Sequence, residues 1–100
     1  MVSGLIRGGD PSTSTIPVRL REQCALMFLN MRHTVEAGGG TVADIIKVTI
    51  WMKTLEREPI NEEWVKMFPD PAARPARQIM ETAMEEGVLV QCDFMAVLQS

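Results

Sequence analysis

Few residue types in this chain can do chemistry, and most of them stand alone. There is one histidine, His33, two cysteines, Cys24 and Cys92, and no tyrosine. No second His or Cys lies at ligand spacing from any of these, so no metal site is expected. His33 falls inside a helical pattern described below, which suits a partly exposed helix residue and gives no Ser-His-Asp set. Gly8-Gly9 and Gly38-Gly39-Gly40 lack both the Walker lysine and the strand–glycine–helix context of phosphate-binding loops. No cofactor is therefore expected. Cys24 and Cys92 lie within apolar patterns and read as buried structural thiols, because a free cysteine packs as a small hydrophobe.

Arg77 is the residue that stands out. It opens a strand pattern whose faces should both be covered, just after a loop at residues 72–75. Arginine is almost never fully buried unpaired. Its planar fork matches a carboxylate bidentately. That carboxylate belongs either to the protein (Glu81, Asp93 or a neighbouring subunit) or to a ligand, and the residues alone leave both readings open.

The elements that must position Arg77 can be read from periodicity. Leu20, Cys24, Met27, Phe28, Met31 and Val35 form the stripe of an amphipathic helix over 18–37, with Pro17 in its first turn and the triple glycine ending it. Residues 46–53 alternate strictly. Ile46, Val48, Ile50 and Met52 take one face and Lys47, Thr49, Trp51 and Lys53 the other, which predicts a strand. A second helix is expected over 59–68, with Ile60, Trp64, Val65 and Phe68 sharing a face and Pro69-Asp70-Pro71 stopping it. Residues 76–83 and 88–98 read as two strands joined at hairpin length through Met84-Glu85-Glu86-Gly87. The last strand is apolar on both faces, and two helices can cover only one side of so small a sheet. The other side, with Trp51, Leu89, Met95 and Val97, needs a partner, most economically another copy of the chain.

With 100 residues the chain is about one domain, and its 46% apolar and 23% charged residues are those of a globular protein. A net charge of −3, with scattered basic residues, argues against nucleic acid as a partner. No run of about 18–20 apolar residues is present to span a membrane. The N-terminus shows no secretory pattern, so a reduced, cytoplasmic setting is expected.

The order of these segments resembles the RidA/YjgF family, which has also carried the names endoribonuclease L-PSP and translation inhibitor. The matching residues are Ser3-Gly4, Glu36-Ala37-Gly38-Gly39, Asp44-Ile45-Ile46-Lys47-Val48-Thr49, Ile60-Asn61-Glu62-Glu63-Trp64, Pro75-Ala76-Arg77 and the closing Met95-Ala96-Val97. The resemblance implies an α+β, chorismate-mutase-like fold, with a mixed sheet packed on two helices. It also implies a homotrimer with a barrel-like core and ligand clefts between subunits. Active members hydrolyse reactive 2-enamines and 2-imines to 2-keto acids and ammonia. By that resemblance Arg77 binds the substrate carboxylate and Asn61 supports the cleft.

Gln91 stands where the family has a glutamate that helps position the attacking water. Glutamine can hold a water but cannot take its proton, which weakens deaminase chemistry. Asp93 takes the family's second acidic place. The chain also begins near the family's second strand, so the single domain 1–100 is expected to lack the usual N-terminal strand and a cleft tyrosine. The alternative reading is a non-catalytic ligand-binding or regulatory member. A third is the endoribonuclease or translation inhibitor of the family's older names.

Overall fold

The stripe of Leu20, Cys24, Met27, Phe28, Met31 and Val35 winds into helix α1 (Leu20–Ala37), with all but Leu20 buried. Pro17 lies before this helix and not in its first turn; its carbonyl accepts a hydrogen bond from the Gln23 amide at 2.7 Å. The far end closes as expected. Gly38 N–H donates to Thr34 O and Gly40 N–H to Val35 O, while Gly39 takes φ +93°, a left-handed conformation free of strain only without a Cβ. The computed structural model describes residues 1–10 and 12–98; Pro11 and the last two positions lie outside the described residues.

Four strands, β1 (Val2–Arg7), β2 (Ile45–Met52), β3 (Ala76–Glu81) and β4 (Val90–Ala96), form one mixed sheet in the order β1-β4-β2-β3. Helix α2 (Arg57–Met67) is the crossover between β2 and β3, which run parallel; the other pairs are antiparallel. The hairpin expected between the last two strands is therefore absent. β2 lies between them, and residues 82–89 carry the chain across it, with Thr82 N–H donating to Met52 O and Lys53 N–H to Leu89 O. A short connection suits a hairpin, but a parallel β2–β3 pair with its helical crossover satisfies the same strand patterns.

One sheet face is the core. Ile6, Val48, Ile50, Met52, Val90, Cys92, Phe94 and Ala96 pack there under α1 and under Ile60, Trp64 and Met67 of α2. Two expected core positions fall outside it. A register shift between Ile45 and Lys47 turns Ile45 inward and leaves Ile46 49% exposed. Val65 is 47% exposed, and Met67 is buried in its stead. Gln23 is the one buried polar side chain among the described residues. It donates to Pro17 O and Gly87 O (2.7 and 2.9 Å) and accepts from Leu89 N–H (2.9 Å), tying α1 to the approach of β4.

β1 leaves the sheet against α1 so closely that a Cβ on Gly8 would lie 2.2 Å from the Gln23 carbonyl oxygen and 2.6 Å from its Cα. Those are backbone atoms inside a helix and cannot swing aside. Gly8→Ala should lower stability by about 1–3 kcal/mol, read as a reduced urea midpoint at unchanged slope. An unchanged midpoint would show that the contact is loose.

Candidate functional site

Arg77 is the second residue of β3 and pairs with Val48 in the parallel ladder, so its side chain leaves the sheet on the helix-covered side. There α2 receives it. Arg77 Nη1 donates to Asn61 Oδ1 at 2.8 Å, and its Cζ lies 4.9 Å from the Trp64 ring centroid. Asn61 and Trp64 are one turn apart on α2, so a single helix face supplies both a hydrogen-bond acceptor and a cation–π platform. The residue itself is exposed.

The two residues for which the resemblance implied one site, Arg77 and Asn61, are thus brought together. Neither Glu81 nor Asp93 pairs with Arg77. Among the described residues its guanidinium makes no salt bridge at all. Its surroundings are instead cationic. Partial burial first, and then the nearby Arg57 and Arg74 guanidiniums, lower its pKa from the ordinary arginine value, though an arginine stays charged at neutral pH. Arg77 is a charged fork with no anion of its own among the described residues, flanked by two more cations, and such a fork has the geometry to pair with a carboxylate.

Gln91 is not part of that cluster. It lies opposite Arg7 in the β1–β4 ladder and opposite Trp51 in the β2–β4 ladder, on the side away from the helices. Its Oε1 accepts from Arg7 Nε at 3.3 Å, while the two Nη groups of Arg7 donate to Glu85 at 3.1 and 3.2 Å. These bonds hold the Glu85 carboxyl below the usual carboxylate range.

The open face runs in three rows across β1, β4 and β2: Ser3, Met95 and Lys47; then Leu5, Asp93 and Thr49; then Arg7, Gln91 and Trp51. It is therefore mixed, where the sequence suggested an apolar surface of Trp51, Leu89, Met95 and Val97. Leu5, 61% exposed, adds to its apolar part. A depression of about 150 Å3 between Ser3, Lys47, Thr49, Asp93 and Met95 marks its centre. The sequence marks Trp64 as an apolar-face residue and not as a site residue, and it does not single out Arg7. Trp64 carried a signal, standing three residues after Asn61 on a helical face. Arg7 carried none, since its partners lie 78 and 84 residues away.

Other reactive groups are quiet. His33 is exposed on α1. Cys24 and Cys92 are both buried, and burial above all pushes each thiol up to about 12. Among the described residues no group of His, Cys, Asp and Glu is placed to hold a metal ion, and no helix is long and apolar enough to cross a membrane.

A mixed sheet over two helices, with an arginine fork held by an asparagine of the crossover helix, defines an α+β domain. Residues 1–98 match the family described as Endoribonuclease L-PSP, and the chain belongs to that family, which is the RidA/YjgF family. It is 30% identical over 91 residues to the 2-iminobutanoate/2-iminopropanoate deaminase of Escherichia coli K12, covering 88% of this chain and 71% of that protein. Among solved structures it resembles Escherichia coli TdcF with bound serine (TM-score 0.86, 27% identity, 98% of this chain and 82% of that one). It also resembles the Escherichia coli YjgF gene product (TM-score 0.85, 26% identity, 99% and 83%).

The buried thiols have a consequence for stability. Once unfolded they ionise near their ordinary value of 9.0, whereas in the folded chain they stay neutral to about 12. Their contribution is therefore complete below pH 9 and is lost as pH rises toward 12. Urea midpoints measured from pH 8 to 11 should fall, and fall less steeply in a Cys24→Ala, Cys92→Ala double variant. Parallel declines would show that other groups titrate.

Proposed function

We propose that this chain binds small carboxylates, 2-keto acids and their imines foremost, in clefts between the subunits of a homotrimer. The observation that carries this reading is Arg77, a charged fork held by Asn61 and Trp64 with no carboxylate partner among the described residues. Arg77 binds the ligand carboxylate and Asn61 fixes the fork. Gln91 of an adjoining subunit faces the ligand's second carbon. The separation of Arg77 and Gln91 on opposite sheet faces supports a cleft built by two copies. The name of the Escherichia coli deaminase and the serine bound to TdcF support a small nitrogen-bearing or keto carboxylate as the ligand class. Two free, buried thiols fit a reducing, cytoplasmic setting.

In such a cleft hydrolysis adds a water oxygen to the imine carbon, breaks the carbon–nitrogen bond and releases ammonia, leaving the 2-keto acid. A general base would take the water's proton. Gln91 can orient that water but cannot accept its proton, so turnover is slow. This same substitution favours the second reading, a ligand-binding member with little catalysis. The net charge of −3 speaks against a ribonuclease role.

Arg77→Ala should weaken 2-oxobutyrate binding by about a hundredfold or more in calorimetry, with circular dichroism unchanged, because charge-assisted hydrogen bonds are lost and no core volume is removed. Arg77→Lys should recover only part. If Arg77→Ala instead unfolds the chain and the wild type binds no keto acid, Arg77 is structural.

For assembly, sedimentation equilibrium at micromolar concentration should give a trimer, and Met95→Asp on the open face should dissociate it, since an unpaired charge in an interface costs several kcal/mol. A wild-type monomer would contradict the cleft.

A further inference from the structure

The pairing of Arg7 with Gln91 carries a statement about ligand choice, and it rests on the carboxylate-site reading above. A guanidinium has only N–H donors, so the hydrogen bond from Arg7 Nε at 3.3 Å must end on the amide oxygen of Gln91. Turning the amide over would set donor against donor. Arg7 is itself held in place: Nη1 and Nη2 donate to the two Glu85 oxygens at 3.2 and 3.1 Å, and Arg7 stands directly opposite Gln91 in the ladder. With Oε1 engaged, Gln91 offers Nε2. That nitrogen has no partner among the described residues. No buried side-chain nitrogen or oxygen is left unpaired, so its N–H bonds reach solvent on the open face. A glutamate at this position would present acceptors only.

We propose that Arg7 locks Gln91 as a hydrogen-bond donor, so that the site selects carboxylates with an acceptor on the second carbon. Those include 2-keto acids, whose carbonyl oxygen meets the amide N–H, and their neutral imines, whose nitrogen lone pair does the same. Amino acids of the same skeleton bring an ammonium, which has donors only and leaves two donors facing each other where water is displaced. Arg7 is a positioning residue here: it touches no ligand and acts through the amide of Gln91.

The test is calorimetric titration of the full chain with 2-oxobutyrate and with L-2-aminobutyrate, which share carbon skeleton and carboxylate. The wild type should prefer the keto acid by about tenfold or more. Arg7→Met frees the amide to turn, and the preference should collapse toward equality. Arg7→Lys should restore it, because an ammonium also donates to Oε1. Gln91→Glu should reverse it in favour of the amino acid. Arg77→Ala should weaken both ligands alike, since it removes the group that reads their shared carboxylate. Equal affinities in the wild type, with both still dependent on Arg77, overturn the role of Arg7 alone. The same preference in Arg7→Met as in the wild type does so too. Binding of neither ligand to the wild type overturns the carboxylate site and this inference together.

Discussion

Alternation along a β-strand assigns each side chain to one face of the sheet, and in this protein that assignment divides the candidate site in two. Arg77 shares a row with Val48 on the helix-covered side, where Asn61 and Trp64 hold its fork. Gln91 shares a row with Trp51 and Arg7 on the open side. The core enforces the division. Val48, Ile50 and Met52 on β2 and Val90, Cys92 and Phe94 on β4 are all buried on one face. A slip of one residue would expose that whole set and exchange the two functional faces. No small molecule can meet both groups of one chain through a sheet, so the proposed site needs a second copy to bring Gln91 to Arg77.

Local charge runs against net charge at Arg77. The chain is acidic overall, yet Arg77 has Arg57 and Arg74 as its charged neighbours. Arg77 therefore lies in a positive region on an otherwise negative molecule, and such a region attracts anions. On the open face one cation is already paired. Arg7 is held by Glu85, and its remaining N–H fixes the amide of Gln91. Arg77 is short of an anion among the described residues, whereas Arg7 already has one in Glu85.

Most of this fold was legible in sequence where a single period ruled. Helix α1 and its glycine stop followed from 3.6-residue spacing, and β2 followed from alternation. Periodicity could not see the register shift at Ile45 and Lys47, because a bulge is a property of two strands and not of one. Nor could it choose between a hairpin and a parallel crossover for β3, since strand patterns do not name their neighbours. The site divides in the same way. Arg77 was conspicuous as a charge opening a strand expected to be covered, and the resemblance supplied Asn61 beside it. Arg7 was silent, because its meaning depends on Gln91, 84 residues away.

The central claim is that one ligand is read by groups from two copies of the chain. A crystal structure of the protein soaked with 2-oxobutyrate tests it most directly. The account predicts the ligand carboxylate on the Arg77 fork of one protomer, and the ligand's carbonyl oxygen within hydrogen-bond distance of Gln91 Nε2 from its neighbour. A ligand held by side chains of a single protomer, or seated away from Arg77, would contradict it.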